Sequence, residues 1–258
     1  MREIIRSTYL NMIGAFTDIK PGIHILNSHY VTPGEVHIEK NTLIYDNFLS
    51  YLKKVGIFIT LEEATKRILS NLIPDDKVML SFTFDDGFEE CYTIIAPLLE
   101  KYGTRGAFFI NSNYISSDKA YQKDFNIRVN TYTKSPMSWD QVRELHRRGH
   151  IIGSHNLDHS NFQELSVSDV QYQILKNKEI IENKLNSDCG YFAWTYGQLK
   201  HFPPHALEIT KNVHKYIFSD TNFKLYFSYN RSVINRRHIE PFWPKAHINY
   251  FLGKRKRI

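Results

Sequence analysis

Two carboxylates side by side where one apolar run ends, and two histidines four residues apart where another ends, are the residues of this chain best suited to chemistry. Val78-Met79-Leu80-Ser81-Phe82-Thr83-Phe84 is apolar on both faces, as a buried parallel strand is, and it runs straight into Asp85-Asp86-Gly87. A plain turn after a strand favours Asp and Gly too, so these three residues identify nothing alone. Further on, Ile151-Ile152-Gly153-Ser154 reads as a short strand delivering His155, and His159 follows. Two imidazoles within reach of one ion, joined by a carboxylate from the Asp85-Asp86 strand, make a His₂-carboxylate set with a coordination position left open. A catalytic divalent cation needs that open position, whereas a structural one does not. Twelve histidines supply other i,i+4 pairs, but His146 and His150 straddle an arginine-rich helix end, and His201 and His205 flank Pro203-Pro204, which forbids a shared helical turn.

The elements that must position these groups alternate between strand and helix, which predicts an α/β protein with parallel strands, read as a single domain over 1–258. Ile23-His24-Ile25-Leu26 reads as a strand, and Leu43 to Lys54 as an amphipathic helix with Leu43, Ile44, Phe48, Leu49 and Leu52 on one face. Gly56 to Thr60 returns as a strand. A helix from Leu61 to Leu72 follows, with Thr60 and Glu63 spaced as a capping box. Cys91 to Tyr102, capped by Gly103, and then Gly106 to Ile110 complete a βαβ unit around the paired carboxylates. Residues 111–137 are polar and aperiodic, so they read as a long irregular excursion able to wall a substrate groove. Helices are expected from Trp139 to Arg148, after Ser138, and from Ser166 to Asn186, begun by a Ser-x-x-Asp cap. Beyond Cys189 the pattern weakens.

At this point the motifs carry a family resemblance. Thr83-Phe84-Asp85-Asp86-Gly87 with Ser154-His155-x-x-x-His159 resembles the first two motifs of the polysaccharide deacetylases, the NodB-homology or family 4 carbohydrate esterases, and the likeness runs from about residue 23 to 200. The resemblance implies an irregular (β/α)7-type barrel. It implies Asp85 as general base toward a water, Asp86, His155 and His159 as ligands of a divalent metal, and removal of N-acetyl groups from amino sugars. Zinc is the first expectation for that metal, with cobalt, nickel or manganese also fitting the donor set. Phe192-Ala193-Trp194-Thr195-Tyr196-Gly197 resembles the third motif, placing the Tyr196 amide as an oxyanion donor. The arginine that often begins that motif, and orients the base, is replaced here by Ala193. Ile25-Leu26-Asn27-Ser28-His29-Tyr30-Val31 resembles the N-terminal strand of the exopolysaccharide N-deacetylase branch, which makes His29 the expected general acid, with His238 and His247 as competitors. Trp194, Trp243 and Tyr196 offer sugar-stacking faces or core packing.

Composition bounds the rest. No apolar run approaches the ~20 residues of a bilayer span, and the first residues lack the apolar core of a secretory signal, so the cytoplasm is the expected compartment. Cys91 and Cys189 are too few for a disulfide framework. The net charge of +6 favours acidic partners, but no nucleic-acid motif accompanies it, so nucleic acid is set aside. Lys254-Arg255-Lys256-Arg257 forms a basic tail at 254–258 that is either solvated or in peripheral contact with a membrane or a phosphate-bearing substrate. The substrate expected is an N-acetylated carbohydrate, within a glycan or a lipid- or nucleotide-linked precursor. A deformylase or other carbon-nitrogen hydrolase, and a non-catalytic glycan-binding protein that keeps its metal, are the alternatives. Oligomeric state is not read from the sequence.

Overall fold

The computed structural model describes residues 2–131 and 133–258. The chain opens with α1 (Arg2–Ala15), then β1 (Gly22–Ser28), α2 (Ile38–Val55), β2 (Ile57–Phe58) and α3 (Leu61–Leu69). β3 (Val78–Phe84) leads through a π-turn at Cys91–Ile95 into α4 (Ala96–Lys101), followed by β4 (Ala107–Ile110), α5 (Lys119–Arg128), α6 (Trp139–Arg147) and β5 (Ile151–Ser154). α7 (Val167–Leu185), β6 (Tyr191–Ala193), α8 (Pro204–Val213) and β7 (Tyr216–Ser219) continue the alternation. β8 (Phe227–Ser228), β9 (Val233–Asn235), β10 (Arg237–His238) and α9 (Lys245–Leu252) complete it.

The strands curl into a ring. β1, β3, β4, β5, β6 and β7 lie side by side in parallel, and β9 pairs with β7 while β10 pairs with β1. Only Arg236 separates β9 from β10, so one short run from Val233 to His238 joins both free edges of the sheet and serves as its seventh strand. The expected (β/α)7-type architecture is therefore what the chain forms. β8 adds an antiparallel partner to β9, and β2 extends the β3 edge ahead of β4.

Side chains alternate across the strands. Ile23, Ile25, Met79, Ala107, Phe109, Ala193, Phe218 and Ile234 pack together, with Leu61, Ala64 and Ile68 of α3 at the N-terminal end. Leu26, Phe82, Phe84, Phe108 and Ile152 pack instead against Phe48, Leu49 and Leu52 of α2, with α4 and α6 beside them. Register fixes the height of the functional residues. β1 and β3 pair from Gly22 with Val78 to Ser28 with Phe84, so His29 and Asp85 emerge side by side at one rim. Ile110 pairs with Ser154 and Ser154 with Phe192, which brings His155 and the segment after Ala193 to that same rim.

Some expectations are corrected. The 111–137 excursion is not irregular throughout: it contains α5, capped by Asp118, whose carboxylate accepts from the Tyr121 amide. Only Phe125 and Asn126 of that helix are buried, which is why it shows no apolar period. α1 was not anticipated, and the Cys91 helix begins as a π-turn. At α3 Thr60 caps the Glu63 amide, while the Glu63 carboxylate turns to Arg67 rather than closing a capping box. The basic tail is neither free nor frayed. Lys256 is buried and donates to the Asn235 carbonyl, and Arg237, also buried, binds the Phe251 and Lys254 carbonyls.

Candidate active site

Asp86, His155 and His159 converge in a cleft of about 360 Å³ at the C-terminal rim, each buried and each offering a ligand atom within 4.8 Å of the others. His155 Nε2 and His159 Nε2 lie 3.7 and 3.4 Å from Asp86 Oδ1. Those separations are too long for hydrogen bonds and suit groups that share an ion. Asp86 Oδ1 accepts no hydrogen bond from the described residues. An unpaired buried carboxylate oxygen is costly unless a cation satisfies it. The His155 Nδ1–H donates to the Ala193 carbonyl at 2.7 Å, which leaves the Nε2 lone pair facing Asp86. Burial, then the neighbouring His155 and His29, hold the His159 pKa well below its ordinary value, so its imidazole is neutral and able to ligate. The donor set fits a divalent cation.

The backbone pays for this arrangement: Asp86 at φ 75°, His159 at 60° and Tyr196 at 62° all sit in the left-handed region, which costs about 1–3 kcal/mol each. Asn156 supports the second of these by accepting from the His159 amide at 2.6 Å and donating to the Ser160 carbonyl. Gly87, at φ 83°, allows the turn after the carboxylates, where a Cβ would meet Ile115 at 2.9 Å.

Asp85 stands beside Asp86 in a different field. Arg236, fully buried, grips it with two bonds of 2.8 and 2.7 Å, and Asn27 Nδ2 donates to Oδ2 at 3.0 Å. Asp220 accepts from both Arg236, at 3.0 Å, and Asn27, at 2.9 Å. Burial alone would raise the Asp85 pKa, but the charge of Arg236 and its two hydrogen bonds outweigh it and hold the carboxyl far below the usual range. Asp86, with no such partner, is pushed up by burial. The missing arginine at Ala193 is thus made good from another strand. Arg236 went unrecognised as a positioning residue because it follows Val233-Ile234-Asn235 beside a second arginine, and reads as surface charge. An arginine inside an apolar strand was the available signal.

In the same cleft, His29 Nδ1 lies 2.7 Å from Glu240 Oε1, and His238 Nε2 lies 2.8 Å from the same oxygen. Burial works against protonating His29, but the Glu240 bond and charge, with Asp86 and Asp85 behind them, raise its pKa to about 10. Glu240 is drawn down to about 2, burial opposing the pull of His238 and His29. Both His29 and His238 therefore line the site, whereas His247 lies on α9 in a separate cleft. Tyr196 also lines the site, its ring edge-on to His159 at 4.8 Å, and none of the described residues accepts its backbone N–H. Trp194 lines the cleft but is buried and stacked 4.1 Å from Phe202, and the partly buried Trp243 packs on His238. Arg128, Val129 and Asn130, at the end of α5, also line the cleft.

The model of the polysaccharide deacetylase family matches residues 73–214, more than half of the chain and a span that holds Asp85, Asp86, His155, His159 and Tyr196; the chain belongs to that family. Among curated proteins, YxkH of Bacillus subtilis, named as a candidate polysaccharide deacetylase, is 24% identical over 152 residues, covering 59% of this chain and 48% of its own. A chitin deacetylase of Arthroderma benhamiae is 25% identical over 125 residues, 45% of this chain and 28% of that one. The chain thus spans about half, or less, of the curated relatives' length. Two solved structures share the fold over nearly their whole lengths. Deacetylase PplD of Streptococcus pyogenes, solved with acetate, superposes with a TM-score of 0.68 at 18% identity, over 90% of this chain and 99% of its own. IcaB from Ammonifex degensii gives 0.67 at 20% identity, over 90% and 97%.

Proposed function

We propose that the protein hydrolyses N-acetyl groups from amino sugars with the help of a bound divalent cation. The observation that carries this reading is the meeting of Asp86, His155 and His159 with a second, separately held carboxylate, Asp85, in one cleft. The cation, when bound, supplies Lewis acidity that polarises the acetyl carbonyl and makes water acidic. Zinc suits the two imidazoles and one carboxylate, and cobalt, nickel and manganese fit the same donors.

Asp85 takes the proton of the attacking water. A carboxylate has about four lone-pair directions, and Arg236 and Asn27 fill three of them, which leaves one for that water. The Tyr196 N–H, fixed in its turn, meets the oxygen on which negative charge develops. His29 enters protonated and gives its proton to the departing amine, and Glu240 fixes the ring that does so. Water and the N-acetyl sugar give acetate and the free amino sugar. The half-exposed Tyr196 ring offers a stacking face to that sugar. The position of His29 directly after β1 supports a place beside the exopolysaccharide deacetylases, and a glycan or a lipid- or nucleotide-linked precursor is the substrate class.

The test is acetate release from a panel of N-acetylated oligosaccharides and lipid- or nucleotide-linked sugars, with protein stripped of metal and then reconstituted. Acetate released only by the reconstituted protein supports the reading. Full metal occupancy with no acetate from any of these sugars overturns it.

A further inference from the structure

α1 turns an apolar stripe away from the protein. Its inner side is set by Leu10 and by Gly14, which lies so close to α9 that an added Cβ would sit 1.8 Å from the Ala246 carbonyl oxygen. Steps of four and three residues place Ile5, Tyr9 and Met12 together on the opposite side, and Phe16 follows in the turn that ends the helix. They are 64%, 53%, 64% and 93% exposed, and Ile13 widens the stripe. Large apolar side chains in a contiguous exposed band mark a surface that binds something.

Cations adjoin the band. Arg6 and Lys20 are exposed, and the segment from Ile5 to Lys20 holds a single carboxylate, Asp18. Tyr9 meets Tyr250 edge-on at 6.0 Å, and Lys254 Nζ lies 4.7 Å from the Tyr250 ring, so the basic tail adjoins the stripe. Of that tail, Arg255 and Arg257 are exposed, while Lys256 is buried. A second copy of the chain is a poor occupant, because an isologous contact would set these cations against themselves. An apolar band rimmed by positive charge matches an anionic lipid surface, which takes the apolar side chains among its acyl chains and the cations among its phosphates.

We infer that the protein docks on an anionic membrane surface through the α1 stripe and the adjoining basic residues. The inner side of α1, behind the stripe, reaches toward the active site. Phe242 stacks on Tyr30, next to His29, at 6.2 Å, Trp243 packs on His238 at 5.2 Å, and both share a cleft with Arg6 and Leu10 of α1. A sugar carried on a lipid phosphate would reach the cleft from the His29 side, a consequence that rests on the deacetylase reading.

Co-sedimentation with vesicles tests the docking without any catalysis, so its failure and that of the deacetylase reading are separable. The intact protein is mixed with phosphatidylcholine vesicles, or with vesicles in which about a third of the lipid is phosphatidylglycerol. Wild type is expected to sediment with the anionic vesicles and not the neutral ones, less so at high salt. Met12→Asp/Phe16→Asp should lower vesicle affinity at least about tenfold, and Arg255→Glu/Arg257→Glu should lower it as well. Unchanged thermal unfolding of both variants keeps the loss from being one of folding. Wild type left in the supernatant with anionic vesicles overturns the proposal, as do variants that sediment like wild type. A wild-type dimer in light scattering that Met12→Asp/Phe16→Asp turns into a monomer also overturns it, since a second copy would then cover the stripe.

Discussion

The cleft holds two clusters built from the same residue types, two histidines and one carboxylate, and they differ in spacing. In Asp86, His155 and His159 the imidazole nitrogens stand 3.4 and 3.7 Å from a carboxylate oxygen that has no hydrogen bond. In His29, Glu240 and His238 both nitrogens bond a single oxygen, at 2.7 and 2.8 Å. The wider cluster leaves lone pairs free for an ion, and the tighter one spends them on a proton. Backbone geometry makes the difference. His159 is held by a left-handed turn and an Asn156 bond, and His155 by the Ala193 carbonyl, so neither ring can close on Asp86. His29 directly follows β1 and His238 ends the neighbouring β10, and both rings reach Glu240.

If the wider cluster serves the ion and Asp85 the base, Asp85→Asn should have the largest effect. The asparagine keeps the shape but cannot take a proton, so acetate release should fall about 10³- to 10⁴-fold. Metal content should stay at the wild-type level, measured by elemental analysis after dialysis. Loss of metal together with activity would instead make Asp85 a ligand and break the division between the neighbouring carboxylates. Next, His159→Ala should abolish metal retention, while His29→Ala should keep it and lower turnover about 10²-fold. If His29→Ala also lost an equivalent of metal, the tight cluster would be an ion site too, and the contrast would fail.

How much of this was legible in the sequence follows from the same contrast. The strand before Asp85 is buried on both faces and reads as an unbroken apolar run, and the Ser138 cap closes its box with Gln141 as the local residues dictate. His155 and His159 were visible because a strand delivers them. The ring closure was not, since β9 and β10 have three and two residues and meet at Arg236-Arg237, and Arg236 looks like surface charge until Asp85 and Asp220 are placed beside it. Glu240 stood in the sequence two residues after a candidate histidine. Its role comes only from the parallel pairing that sets Asn27 against His238 and brings His29 beside it. α1 was missed because Ile5, Tyr9, Met12 and Ile13 face outward and leave Leu10 to pack inward.

The smallest expected effects separate the two histidines that share Glu240. Glu240→Gln removes the charge that raises the His29 pKa and leaves burial, which lowers it, as the leading influence. His29 must be protonated to act, so activity is present below its pKa and lost as pH rises through it. Wild type should therefore keep its acid up to about pH 10. In Glu240→Gln the alkaline limb of kcat should move to lower pH, with about a tenfold loss at neutral pH. His238→Ala leaves Glu240 ionised beside His29, so the limb should stay near its wild-type position and turnover should change only a few-fold. The reverse result, a lost or shifted limb in His238→Ala and an unchanged one in His29→Ala, would transfer the acid role to His238. The pairing would survive that exchange, because one buried carboxylate can serve either ring, and His29 is expected to hold the role because it leaves β1 beside Asp85 at the end of β3.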